Sequence, residues 1–283
     1  MPAVLCATLL ALPLWAASPE LEQARTLYRH TDYDASLKIL QEIRPPDGPV
    51  YELTGQNYYM KGDYKRAAEI FERAVAADPG NSGYVLWLGR AFGRRAENSS
   101  PFTAPGNASK ARQYFEKSVQ LNPRNMEALS DLFEYYLEAP GFLGGGMEKA
   151  QATAAKIAAV DPAEGHWSQA KIAEKRKEYG TVEEQLRRGI EASPHQVGKL
   201  IDLARFLAKQ GRYQESDQSF ARAQKIAPDT PRLLYAMADV YIKHGRNLDA
   251  ARDLLKRYLS MTLSPDDPPR SQAEKLLRQV RGS

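Results

Sequence analysis

The chain has 283 residues, of which 43% are hydrophobic and 26% are charged, and this composition excludes wholesale disorder. The net charge is only +4, and Lys and Arg are interspersed with Asp and Glu, so we expect no nucleic-acid binding. The single cysteine, Cys6, excludes an intramolecular disulfide, and the four dispersed histidines predict no metal site.

The amino terminus begins with an uncharged, mostly apolar segment at residues 3–17. This run is shorter than the roughly 20 residues that a helix needs to span a bilayer. Small residues at Ala16, Ala17 and Ser18 suit a cleavage site. We therefore predict that residues 1–17 are a signal peptide and that the protein is exported to the periplasm or cell envelope. A retained anchor, which would allow membrane association, and a buried first helix are the alternatives.

The next segments predict pairs of helices, the first being Pro19–His30 and Tyr33–Ile43. The clearest pair lies within residues 51–79, where key residues follow the offsets of a helix–turn–helix repeat of about 34 residues. These residues are Tyr51, Gly55, Tyr58, Gly62, Tyr64, Ala67, Phe71, Ala74 and Pro79. The small residues allow two helices to approach closely, and the bulky residue fills the space between adjacent hairpins. The segment resembles a tetratricopeptide repeat.

The same order of small, bulky, small and proline residues recurs farther along the chain. Examples are Ala111, Phe115, Ser118 and Pro123, and then Ser216, Phe220, Ala223 and Pro228. The weakest unit begins near Gly165 and has Val182 in the small column. We predict loop insertions at residues 97–109 and 140–146, within hairpins, where they cost little core. The second of these resembles a loop of bacterial envelope repeat proteins.

The carboxy-terminal segment begins with Asp267-Pro268-Pro269, which is typical of a helix start. Residues 270–280 then place apolar side chains on one face, as a terminal capping helix does. The resemblance implies an all-α, right-handed superhelical solenoid of antiparallel helix hairpins. We predict about six hairpins over residues 18–265 and the capping helix within residues 266–283.

No catalytic arrangement is visible in the sequence. The glycine run at residues 141–146 is followed by Met147 and Glu148, which replace the Lys and Ser/Thr of a phosphate-binding loop. We therefore predict no enzyme activity, no catalytic residue and no cofactor. A carbohydrate-active domain near Trp167 is an open alternative that lacks a catalytic constellation.

The resemblance implies that the first helix of each hairpin lines a concave face that binds an extended peptide. The family's inward columns give these partner-binding candidates: Tyr59, Met60, Leu86, Arg90, Arg94, Glu134, Arg205, Lys209, Arg232, Tyr235 and Lys243. Their cations suit a partner with acidic groups or a free carboxylate end. The family's carboxylate clamp is absent because Glu52 and Gln56 stand in its columns.

The predicted function is therefore a non-enzymatic scaffold or adaptor for a protein or peptide partner. The alternative is a self-associating structural protein of the cell envelope. Such a protein would dock through its convex face or through the two insertion loops. The sequence does not predict the oligomeric state.

Overall fold

The computed structural model describes residues 18–280, so the predicted signal peptide at residues 1–17 lies outside them. The described residues form α-helices, one short 3-10 helix and no strand, which confirms the all-α prediction. The helices are α1 Pro19–Arg29, α2 Tyr33–Leu40, α3 Gly48–Met60, α4 Tyr64–Ala77, α5 Ser82–Glu97, α6 Ala104–Leu121, α7 Met126–Glu138, α8 Met147–Val160, α9 Pro162–Lys175, α10 Tyr179–Ala192, α11 Val197–Lys209, α12 Tyr213–Ile226, α13 Pro231–Lys243, α14 Leu248–Ser260 and α15 Arg270–Gln279.

Helices α1 to α14 pair in sequence as seven antiparallel hairpins, and each hairpin packs on the next. This is one hairpin more than the sequence predicted. The weak unit α9–α10 is a full hairpin because its departures from the pattern are accommodated by packing. Val182 is buried in the core, and Gly165 brings α9 so close to α8 that an added Cβ would stand 2.5 Å from the Ala158 Cβ.

The turn inside six of the hairpins passes through a residue with a left-handed backbone. In four hairpins it is a glycine, with φ of 80°, 87°, 77° and 62° at Gly62, Gly144, Gly211 and Gly245. In α1–α2 and α9–α10 it is Thr31 and Lys177, with φ of 62° and 61°. Because a side chain disfavours this conformation, these two turns carry local strain, as does Asn247 with φ of 50° at the start of α14.

The predicted insertion at residues 97–109 is mostly helical, which corrects the expectation of a long loop. Helix α5 extends to Glu97 and α6 begins at Ala104, so only residues 98–103 lie outside a helix. Pro105 does not prevent this, because it occupies the first turn of α6, where proline is well tolerated. The second insertion contains the 3-10 helix Gly141–Leu143 and ends before α8.

The core runs between successive hairpins along the solenoid. Its largest fully buried side chains include one bulky residue for most hairpins: Phe71, Phe92, Phe133, Phe220 and Tyr258. Glycine on a first helix makes room for an aromatic ring of the second. A Cβ at Gly55 would stand 2.6 Å from the Phe71 ring, and one at Gly89 would stand 2.8 Å from the Phe115 ring. Helix α15 packs on α14 and closes the core.

Candidate functional site

A pocket of about 530 Å³ opens among α3, α5, α6, α7 and the segment that follows α7. We call it the groove pocket, and its polar and aromatic lining is Tyr59, Arg90, Arg94, Glu97, Phe115, Asp131, Glu134, Tyr135 and Glu138. These side chains come from three consecutive hairpins, and four of them are sequence-predicted candidates. The structure therefore brings together Tyr59, Arg90, Arg94 and Glu134.

One wall of this region is a series of aromatic rings. The Tyr59 ring lies edge-on to Trp87, with 5.4 Å between the ring centroids. Trp87 stacks on the buried Phe71 at 5.8 Å, with 17° between the ring planes. The Arg90 guanidinium lies over the Trp87 ring, 4.8 Å from its centroid. This wall is anchored in the core through Phe71, so its rings are held in fixed positions.

Arg90 is fixed by two carboxylates as well as by Trp87. Its Nε donates to Asp131 Oδ2 at 2.6 Å, and its Nη1 lies 2.8 Å from Glu127 Oε2. Burial raises the pKa of Asp131 above its usual range, and the attraction of Arg90 offsets that effect only in part. Arg90 therefore acts as an internal counter-ion, and its charge is not free for a ligand.

Arg94 is also engaged within the protein. Its Nε and Nη2 lie 3.3 Å and 3.2 Å from the Tyr64 hydroxyl, and it forms an ion pair with Glu97. Glu138, at the far side of the pocket, accepts from Lys175 Nζ at 2.6 Å. The charged groups around the rim are thus mutually neutralised.

Glu134 differs from these residues. It follows Asp131 by three residues on α7 and has no hydrogen bond or ion pair within residues 18–280. Although its side chain is exposed by surface area, desolvation by the surrounding residues first, and then Asp131, raise its pKa above the usual range, while Lys171 and Arg90 act in the opposite direction. The groove pocket therefore contains one carboxylate whose charge has no direct partner.

A second, smaller pocket of about 190 Å³ lies farther along the inner face. It contains the predicted residues Arg205 and Lys209 together with Asp202. Lys209 Nζ donates to Glu174 Oε1 at 2.7 Å, so this cation is engaged. Burial raises the pKa of Asp202, and nearby lysine and arginine charges lower it in part. Arg205 is exposed and is the freer of the two predicted cations.

A third opening of about 660 Å³ lies between the first hairpins and the segment that follows α14. Its lining includes Met60 and Trp87 on one side and Ser264, Pro265 and Asp266 on the other. The same segment is tied to α13, because Arg232 Nη2 lies 3.4 Å from the backbone oxygen of Asp266. The curve of the solenoid thus brings its last hairpin across the groove from its first ones.

Three of the predicted partner-binding residues are buried or already engaged within the protein. Leu86 is only 2% exposed, so it is a core residue and the prediction of a partner contact there is corrected. Trp87, the next residue, takes the inward position on α5. Lys243 pairs with Asp239 at 2.8 Å, and the Tyr235 hydroxyl lies 3.4 Å from Gln272 of the capping helix.

The sequence analysis also missed Asp131 and Tyr135, which complete the groove pocket. No motif marks them, although Trp87, Arg90 and Arg94 have the three- and four-residue spacing of one helix face.

Across residues 18–280, no group of His, Cys, Asp and Glu is placed to hold a metal ion. Within the same part of the chain, no helix combines the length and apolar character that crossing a membrane requires.

Two segments of the chain match tetratricopeptide-repeat family models. One model matches residues 49–81, and another matches residues 201–268. Over these two segments the chain matches tetratricopeptide repeats. Such repeats are typical of non-enzymatic protein–protein interaction scaffolds, and the groove pocket begins within the first matched segment. No functionally curated protein matches this sequence.

Solved structures with tetratricopeptide repeats share the fold. A thermophilic tetratricopeptide-repeat protein of Thermus thermophilus is 19% identical, covers 66% of this chain and 97% of its own, and has a TM-score of 0.55. A tetratricopeptide-repeat protein from Parabacteroides merdae is 14% identical, covers 93% of this chain and 97% of its own, and has a TM-score of 0.58. These likenesses establish the helical-repeat solenoid and nothing about a ligand.

Proposed function

We propose that the protein is a non-enzymatic scaffold or adaptor that binds a protein or peptide partner along its concave face. The observation that carries this proposal is the groove pocket, where side chains of α3, α5 and α7 converge around an open cavity. Concave sites that combine apolar walls with a few fixed polar groups are typical of binding sites. Because three hairpins contribute, one extended segment lying in the groove would contact all of them.

Site-specific photo-crosslinking tests this proposal. A photoreactive phenylalanine analogue replaces Tyr59 in one variant and Phe102 in another, and each is exposed to an envelope extract of the source organism. Phe102 is the comparison site because it is 96% exposed and lies in the loop between α5 and α6, outside the groove pocket lining. We expect a discrete partner to crosslink at position 59 and not at position 102. The opposite pattern would contradict binding in the groove.

A second candidate function, self-association in the cell envelope, is favoured by the two insertion loops. Phe102 is 96% exposed and Phe142, in the 3-10 helix, is 83% exposed. Burying these two side chains between copies of the chain would remove apolar surface from water. If these loops join copies of the chain, Phe102→Ser with Phe142→Ser should convert an oligomer to a monomer in sedimentation velocity. A wild-type chain that stays monomeric at high concentration would contradict this function.

We also propose that residues 1–17 direct export, which rests on the sequence pattern. Expression of the full chain followed by amino-terminal sequencing of the periplasmic fraction tests it. Cleavage after Ala17 is the expected result. An uncleaved chain in the membrane fraction would support the retained anchor instead.

A further inference from the structure

The unpartnered carboxylate of the groove pocket indicates what kind of ligand side chain fits there. Arg90 is held by Asp131 and Glu127, and Arg94 is held by Glu97. An incoming carboxylate would have to break these ion pairs to reach a cation, and it would also approach Glu134. The geometry thus disfavours the acidic partner that the sequence analysis expected at this part of the groove.

For a cationic side chain, the electrostatic interactions in the pocket are favourable instead. Such a side chain would approach Glu134, whose carboxylate has no direct partner in the described chain, without displacing any existing ion pair. Hydrogen bonds between an ionised donor and a carboxylate are roughly twice as strong as neutral ones. Aromatic rings in the same lining, those of Tyr59, Phe115 and Tyr135, offer further favourable contacts to a cation.

The cavity also has suitable dimensions. Its volume of about 530 Å³ lies in the range of pockets that enclose small ligands, about 300–1,000 Å³. It can therefore accept an arginine or lysine side chain while the peptide backbone continues along the open groove. The apolar lining, including Phe115 and Leu143, would pack against the aliphatic part of that side chain.

We propose that the groove pocket recognises an arginine or lysine side chain of an extended partner peptide, with Glu134 as its counter-ion. This inference rests on the proposed scaffold function and specifies the partner as a segment with a basic residue. Glu134 sets specificity by charge, and the rings of Tyr59 and Tyr135 position the cation.

Binding of defined peptides by the full chain tests the inference. The probes are fluorescent ten-residue alanine–glycine peptides with one central Arg, Glu or norleucine, measured by fluorescence anisotropy at low salt. We expect the Arg peptide to bind at least about tenfold more tightly than the other two. Glu134→Gln should remove most of this preference. Glu69→Gln, the same change at an exposed residue of α4, should leave it intact.

A charge-reversal variant keeps the test informative if neutralisation alone perturbs the helix. Glu134→Lys should lower the affinity for the Arg peptide and raise that for the Glu peptide, with unchanged helical circular dichroism. Equal binding of all three peptides, or an Arg preference that survives Glu134→Gln, would overturn the inference. So would a failure of all peptides to bind while the native partner still crosslinks at position 59, and that result would leave the scaffold function standing. Failure of both experiments would overturn both proposals.

Discussion

Gly55→Ala is a sharp test of how closely the two helices of the second hairpin pack. The new methyl carbon would stand 2.6 Å, 2.7 Å and 2.8 Å from three atoms of the Phe71 ring. Ordinary van der Waals contact needs more space than this, so the ring or the helix must shift. Phe71 is fully buried and stacks on Trp87, so a ring shift also displaces the aromatic wall of the groove.

The expected magnitude follows from two opposing contributions. Alanine stabilises a helix by roughly 1 kcal/mol relative to glycine. Forcing an extra methyl group into a packed core costs typically about 1–3 kcal/mol. The contact distances place Gly55 toward the upper part of that range, so we expect a net loss of about 1–2 kcal/mol in the free energy of unfolding.

The assay is urea unfolding followed by circular dichroism, with Gly180→Ala as the matched control. Gly180 lies in α10, and an added Cβ there would meet no atom within 4 Å. The control should therefore gain up to roughly 1 kcal/mol, the intrinsic helix preference alone. We therefore predict that Gly55→Ala lowers the free energy of unfolding and that Gly180→Ala raises it. A Gly55→Ala variant as stable as the Gly180→Ala variant would refute the reasoning about close packing.

Three further predictions concern strain, burial and stacking. Lys177→Gly should raise the free energy of unfolding by about 1 kcal/mol, because Lys177 has a left-handed backbone with φ of 61°, which glycine adopts without strain. Urea unfolding measures this, and an unchanged midpoint would contradict strain in the turn. Asp202 has a pKa raised by burial, so its ionisation destabilises the fold as pH rises through that pKa. Asp202→Asn should therefore stabilise the protein at neutral pH and reduce the loss of stability on raising the pH, as measured by thermal melting across pH. Arg246 pairs with Asp217 and lies over two tyrosine rings at 4.8 Å and 4.9 Å. Arg246→Lys should cost about 1 kcal/mol in chemical denaturation, whereas exposed Arg222→Lys should cost little.

The helix pairs could be predicted because their signals are local in the sequence. The residues Ala67, Phe71 and Ala74 lie on one helix face, so their spacing reports directly on a buried stripe. The weak unit α9–α10 and the number of hairpins were harder to predict from the sequence. Val182 breaks the column pattern, and only its burial against neighbouring hairpins shows that α9–α10 keeps the same packing.

The sequence by itself determined the repeating hairpin architecture, since each unit is specified by side chains a few residues apart. The tertiary structure decided which side chains meet in the groove. Successive residues of a helix point about 100° apart, so the rotation of α5 about its own axis decides whether Leu86 or Trp87 lies at the inner face. That rotation is fixed by packing such as Gly89 against Phe115, from another helix. Likewise, only the stacking of hairpins pairs Arg90 with Asp131 and leaves Glu134 without a direct partner.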